Sequence, residues 1–175
     1  DESVVGPTLG AENVKAGLWS FAGALLLVLV YMIFYYSKAG AVADLALITN
    51  IFFIFGTLAS LGAALTLPGI SGIVLTIGMS VDANVLVFER IREELRNGRG
   101  KRQAIEEGYS KALSAILDAN ITTLLTAIVL GYFGHGAIQG FAITLIIGIF
   151  TSLFSALIIS RLIFSYMIDR KKDIS

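Results

Sequence analysis

Five long apolar segments constrain the fold of this chain more than any other feature. They run over residues 17–36, 45–66, 68–88, 112–132 and 138–164, and each has at least 20 residues. About 20 helical residues cross the roughly 30 Å hydrocarbon core of a bilayer, and backbone groups in lipid must be satisfied within the segment. The alternation of a membrane β-strand is missing. The sequence therefore predicts an all-α, polytopic bundle of five transmembrane helices.

The composition is typical of a membrane protein. Hydrophobic residues make up 56% and charged residues 15% of the chain, whereas soluble domains carry about 25% charged residues. The absence of cysteine excludes disulfides and thiolate chemistry. The formal net charge is zero, which gives no argument for a nucleic-acid partner. The start at Asp1, without a recognisable signal peptide, leads us to expect a piece of a longer protein.

Lysine and arginine predict the orientation in the membrane. Twelve of the thirteen basic residues fall on one predicted side, and Lys15 alone falls on the other. Basic loops stay in the cytoplasm, so we expect the N-terminus outside and the C-terminus inside. The twelve are Lys38, Arg90, Arg92, Arg96, Arg99, Lys101, Arg102, Lys111, Arg161, Arg170, Lys171 and Lys172.

These segments divide the chain into three predicted parts. Residues 1–16 form an extracytoplasmic lead-in, residues 17–165 form the transmembrane domain, and residues 166–175 form a cytoplasmic tail. The longest predicted connection, residues 89–111, mixes acidic and basic side chains, so we interpret it as a solvated helical extension broken at Asn97-Gly98. Binding of this segment to anionic headgroups or to a cytoplasmic partner stays open as an alternative.

Two aspartates stand inside predicted membrane helices. Asp82 lies roughly 10 Å inside the cytoplasmic end of the third helix, and Asp118 lies at a similar predicted depth in the fourth. They occupy matching strings, Val81-Asp82-Ala83-Asn84 and Leu117-Asp118-Ala119-Asn120. A charged group at such depth costs about 2.5–3.5 kcal/mol on insertion scales, so it should face protein or water. We therefore predict a polar layer between these helices, to which Thr49, Asn50, Thr122, Thr123 and Thr126 contribute.

Three roles for this layer remain open from the residues alone. Hydrogen bonds between membrane helices would make it structural. A proton or ion relay is the usual role of an intramembrane carboxyl group, because burial brings its titration toward neutral pH. A pair of carboxyl groups could also activate water as an aspartyl dyad. The chain lacks the Gly-x-Gly-Asp string expected of intramembrane aspartyl proteases, which argues against this third role.

Enzyme chemistry has no further support in the sequence. We find no phosphate-binding loop, no cluster of metal ligands and no pair of nucleophile and base. His135 is alone in a short outer connection beside two glycines, where a solvated side chain is the simplest interpretation and pH sensing the alternative. We expect no enzymatic activity, no cofactor and no metal.

A long motif then indicates a family. The stretch LPGISGIVLTIGMSVDANVLVFERIREE, residues 67–94, resembles the signature of the SecD family of protein-export membrane proteins. Three further strings fit the same family: residues 5–10, 118–123 and 138–142. The related SecF proteins would carry Asn-Asp-Thr-Val-Val where this chain has residues 82–86, so SecD is preferred. The resemblance covers nearly all of the chain.

The resemblance implies a part of the bacterial Sec export machinery related to the resistance–nodulation–division transporters. Such a protein would sit in the cytoplasmic membrane, use the proton gradient to assist translocation, and have SecF, the Sec channel, the translocating preprotein and membrane lipid as partners. It implies a proton relay at Asp82 with Asn84, and it matches Asp118 to a characteristic polar position. The extracytoplasmic domain that pulls the polypeptide lies outside this sequence. Half of a proton-driven small-molecule efflux transporter is the alternative.

Overall fold

A computed structural model describes residues 7–62 and 66–170 of the chain. Throughout this part the regular structure is helical, with no strand, which confirms the all-α prediction. The helices are α1 (Pro7–Ser60), α2 (Leu67–Arg96), α3 (Lys101–Phe133), α4 (Ala137–Phe154) and α5 (Ser160–Asp169), and one π-helical turn (Ser155–Ile159) joins α4 to α5. The predicted lead-in and tail lie partly outside the described residues.

The predicted count of five membrane helices is not supported. Four helices in the described part of the chain are long and apolar enough to cross a bilayer: Gly10–Ser60, Leu67–Arg96, Lys101–Phe133 and Ala137–Asp169. The first predicted segment, residues 17–36, and residues 45–60 of the second fall within α1, in which two helices meet at a kink at Ser37. The expected connection, residues 37–44, is rich in alanine and has no proline, so no residue there forces a loop.

Ser37 nevertheless divides α1 into two arms. Its φ of 51° and ψ of −119° are non-helical, and a non-glycine residue with positive φ is uncommon. Residues 7–36 form the outer arm and residues 38–60 the inner arm. Both arms contact α2, since Phe21 of the outer arm and Leu47 of the inner arm belong to one apolar cluster with Ile77. A straight helix of 54 residues would be about 80 Å long and could not make both contacts.

The close contact of α2 with α4 depends on small residues. A Cβ atom at Gly148 of α4 would lie 2.7 Å from Cβ of Thr76, and one at Gly72 of α2 would lie 3.1 Å from the Phe141 carbonyl oxygen. Thr76 is fully buried, and its hydroxyl donates to the Gly72 carbonyl at 2.7 Å. Glycines of this kind let membrane helices approach each other closely.

The turn between α2 and α3 is fixed by a buried carboxylate. Glu94 near the end of α2 has no exposed surface and forms ion pairs with Arg99 (Nε to Oε2, 2.6 Å) and with Lys111 on α3. Arg99 also reaches Glu107 at 2.9 Å. α2 therefore continues to Arg96 and α3 begins at Lys101, as the predicted break at Asn97-Gly98 requires.

The π-helical turn changes which residues of the last helix face the bundle. Ser155 and Ser160 are both fully buried, although five residues apart on a regular α-helix they would point about 140° from each other. The extra residue in the turn brings them onto the same side. Ser155 donates to the Ala46 carbonyl of the inner arm, and Ser160 lies 2.6 Å from the Tyr109 hydroxyl of α3.

We predict that Gly148→Ala destabilises the protein by about 1–3 kcal/mol, because the new methyl group has to displace the buried Thr76 side chain. The thermal unfolding midpoint of the purified full-length protein in detergent should fall. Gly78→Ala is the matched control, since no atom lies within 4 Å of a Cβ atom there. Equal midpoints for the two variants would contradict the close α2–α4 contact.

Candidate functional site

Asp82 lies on the exposed side of α2, about midway between the ends of this helix. It lines a groove between α2 and α3. The groove is otherwise lined by Met79, Ala83, Leu86, Ile116, Ala119, Asn120 and Thr123. Apart from Asp82, Asn120 and Thr123, every lining side chain is apolar, so the carboxyl group has few polar neighbours on this chain.

Asn120 is the polar neighbour that the structure brings to Asp82. Its side chain is 7% exposed, and its amide nitrogen donates to the Ile116 carbonyl at 2.7 Å. Its amide oxygen has no hydrogen-bond partner among the described residues. In the sequence, Asn120 stands out only as part of the string that matches Asp82-Ala83-Asn84, whereas in the structure it lines the same groove as Asp82.

Asn84 lies on the opposite side of α2 from Asp82. It is 1% exposed, whereas Asp82 is exposed, because two residues along an α-helix differ by about 200° in direction. The Asn84 amide oxygen has no partner in the described part of the chain. The two residues of the family motif therefore face different environments, one outside the bundle and one inside it.

Asp118 is exposed on α3 and is not among the residues that line the groove. The threonines that follow it bond their own helix: Thr122 donates to the Asp118 carbonyl at 2.9 Å, and Thr123 to the Ala119 carbonyl at 3.0 Å. Thr126 does the same toward Thr122 at 3.1 Å. These threonine hydroxyls therefore bond within α3 and not across to α2. The expected polar layer is not built from such bonds between the two helices.

A second group of polar residues lies inside the bundle. Asp44 and Asn50 on the inner arm and Ser80 on α2 are all at least nine-tenths buried, and each has a side-chain atom without a hydrogen-bond partner among the described residues. Asp44 falls in a predicted connection between the first two apolar segments, so the sequence did not mark it as a site residue. Recognising that residues 38–44 can continue a helix would have placed this acid in the membrane. Thr49, by contrast, bonds the Leu45 carbonyl of its own helix.

Lipid would be an unfavourable environment for the carboxylates of the two exposed aspartates, Asp82 and Asp118. A carboxylate near the bilayer interior costs several kcal/mol unless it meets protein, water or a counter-charge. No ion pair within the described residues involves Asp82 or Asp118. The face of α2 that carries Asp82 is therefore suited to contact with another polar or protein surface.

The described residues offer no site for a metal. No group of three or more histidine, aspartate or glutamate side chains comes together within residues 7–62 and 66–170. His135 is exposed in the turn that precedes α4. The chemistry available at the groove is that of one carboxyl group, which can take up and release a proton.

Named proteins with solved structures match this fold closely. A crystal structure of SecDF, a translocon-associated membrane protein from Thermus thermophilus, superposes with a TM-score of 0.91 at 46% identity, and the match covers 94% of this chain and 23% of that one. A structure of SecDF in a super-membrane-facing form gives a TM-score of 0.89 at 45% identity, covering 96% of this chain and 23% of that one.

Curated relatives agree with the structural match. The protein translocase subunit SecD of Rhodothermus marinus is 60% identical over 172 residues, covering 98% of this chain and 28% of the relative. The SecD subunit of Desulfurispirillum indicum is 54% identical over 171 residues, covering 98% of this chain and 33% of the relative. The chain thus spans about a third or less of the length of these relatives.

A family model describes the same region. The model of the protein export membrane protein SecD/SecF, C-terminal, matches residues 1–170. This match agrees with the motif that carries Asp82 and Asn84 and with the all-helical fold. The chain belongs to the SecD/SecF family of protein-export membrane proteins and corresponds to its C-terminal domain.

Proposed function

We propose that this chain is the C-terminal membrane part of a SecD subunit, which works with SecF to assist Sec-dependent protein translocation with energy from the proton gradient. The observation that carries the proposal is Asp82, an exposed carboxyl group in the middle of an apolar helix. A carboxyl group that costs this much free energy to place in lipid is usually functional, and proton relay is a common function of such groups. The high identity to SecD subunits supports the export role.

In this proposal the partner covers the outer side of α2. The exposed residues Ser71, Leu75, Gly78 and Asp82 lie along one side of the helix, three or four residues apart. Small residues on such a stripe let another helix approach closely. SecF is the expected partner at this face, and the Sec channel, the preprotein and the surrounding lipid complete the assembly in the bacterial cytoplasmic membrane.

The groove residues have different tasks in the proposed proton transfer. Asp82 takes up and releases the proton. The unpartnered amide oxygen of Asn120 can accept a hydrogen bond from the protonated acid or from a water molecule beside it. Asn84 lies across the helix on the inner side and would contribute there, while Asp118 would act separately at the exposed side of α3. α2 holds Asp82 and Asn84 in fixed positions, because its inner side is packed against α4.

We further propose that the two arms of α1 each cross the membrane, which gives five crossings with the N-terminus outside. Gly17 on the outer arm lies near Leu67 at the start of α2, and Tyr36 lies near Phe88 close to its end. The outer arm is therefore parallel to α2 and about as long as its membrane segment. Arg92 lies 4.9 Å from the Tyr36 ring centroid, which puts the bend of α1 beside the basic end of α2.

Single cysteines test this topology in the full-length protein. The chain has no natural cysteine, and Lys38, Gln103 and His135 are exposed. Lys38→Cys and Gln103→Cys should react with an impermeant maleimide only from the cytoplasmic side, and His135→Cys only from the outside. Labelling of position 38 from the outside in intact cells would contradict the two crossings of α1, and labelling of position 103 from there would contradict the orientation.

The relay itself is tested by Asp82→Asn, which keeps the shape of the side chain but cannot titrate. Translocation into vesicles that contain the full-length protein should fall to the level measured without a proton gradient, while copurification with SecF should be unchanged. Asp82→Glu should retain part of the stimulation, because it still titrates one methylene further out. The matched control is Asp169→Asn, an exposed acid at the end of α5 and outside the proposed relay, which should keep the stimulation. Near-normal stimulation in Asp82→Asn would contradict the relay.

A further inference from the structure

The inner arm of α1 carries a buried acid that the proposed relay does not use. Asp44 is 6% exposed, and neither of its carboxyl oxygens has a hydrogen-bond partner among the described residues. It and Glu94 are the two charged residues buried in this part of the chain. Glu94 has two cationic partners at the end of the bundle, whereas Asp44 has none.

The helices around Asp44 offer no charge to balance a carboxylate. In the outer arm the titratable residues between Lys15 and Lys38 are Tyr31, Tyr35 and Tyr36. The inner arm adds Lys38, which is exposed one and a half turns away, and α2 up to Phe88 adds only the outward-facing Asp82. Residues 137–160 contain no titratable side chain, and Arg161, which follows in α5, is exposed and lines a groove with Glu106 and Tyr109 of α3. An ionised Asp44 would be a buried charge without compensation, which is far more costly than a neutral acid.

Asn84 lies at the depth of Asp44 on the neighbouring helix. The inner arm and α2 are joined by a short connection, so they are antiparallel neighbours. Asp44 stands 16 residues before the end of α1 at Ser60, and Asn84 stands 17 residues after the start of α2 at Leu67. The clusters agree with this alignment, because Ala43 groups with Val87 at one end and Leu58 with Ile73 at the other.

An ionised Asp44 and the Asn84 amide oxygen could not hydrogen-bond each other. The Asn84 amide oxygen accepts hydrogen bonds but has no donor in the described structure, and an ionised carboxylate can only accept. A protonated Asp44 can supply that donor, directly or through one water molecule. Asn50 and Ser80 are buried as well, and each has a polar side-chain atom without a partner among the described residues.

We propose that Asp44 is a second protonatable site in the bundle and carries a proton at neutral pH. Asn84, Asn50 and Ser80 would hold water beside it. This site is separate from Asp82, because α2 lies between the inner arm and the exposed groove. The ligand of this site is a proton together with one or a few water molecules. The proposal concerns the resting protein and does not depend on the export function.

Infrared spectroscopy of the full-length protein in lipid nanodiscs tests this site. With aspartate labelled by ¹³C at the side-chain carboxyl carbon, a protonated aspartic acid gives a C=O stretching band separate from the bands of ionised carboxylates. In an Asp82→Asn background, which removes the acid of the proposed relay, the band should be present at neutral pH, and it should be lost when Asp44→Asn is added. Asp118→Asn in the same background is the control and should keep it. Absence of the band from the Asp82→Asn protein, or its persistence when Asp44→Asn is added, would overturn the proposal.

A second variant covers the case in which Asp44→Asn does not fold. Ser80→Ala removes one hydroxyl group from the same interior and leaves the acid in place. The band should remain at neutral pH in this variant and move to a higher frequency, because a protonated acid with fewer hydrogen bonds has a stiffer C=O bond. A band whose frequency does not change would contradict the hydration by Ser80, and its absence would contradict the protonated acid.

Discussion

The close approach of α4 to α2 is the contact on which the remaining structure depends. It requires Gly148 opposite Thr76 and Gly72 opposite Phe141, because any side chain at either glycine would push the helices apart. Once α4 lies against α2, the inner arm of α1 and the π-helical turn complete the interior through the bond from Ser155 to the Ala46 carbonyl. α2 becomes a fixed element with a packed inner side and an exposed outer side.

The two sides of α2 then have different chemistry. The inner side carries Thr76, Ser80 and Asn84, neutral groups that cost less to bury than a charge. The outer side carries Asp82, which is exposed in this chain. In the proposed relay, a helix with one acid on its outer side and neutral polar groups on its inner side would bring a proton to a partner surface without rearrangement of its own core. This division explains how residues 82 and 84 of one motif can serve different environments.

The sequence predicts the helices well because they depend on local properties. The third, fourth and fifth apolar runs lie within helices of the structure, and the break at Asn97-Gly98 lies between α2 and α3. The sequence does not predict the backbone conformation of the bend at Ser37. The bend is not at a glycine or proline, and it depends on the contacts of both arms with α2. The polar layer was predicted from depth alone. Depth along a helix says nothing about direction around it, so the sequence could not show that Asp118 lies outside the groove that Asp82 lines.

The account requires that protein, and not lipid, covers the outer side of α2. A photoreactive amino acid at Leu75, two turns from Asp82 and 45% exposed, tests this in cells that contain the full-length protein and SecF. Phe52 on the inner arm, 74% exposed, is the comparison position. The account predicts a covalent adduct between position 75 and SecF, with lipid adducts at position 52. Lipid adducts alone at position 75 would contradict it.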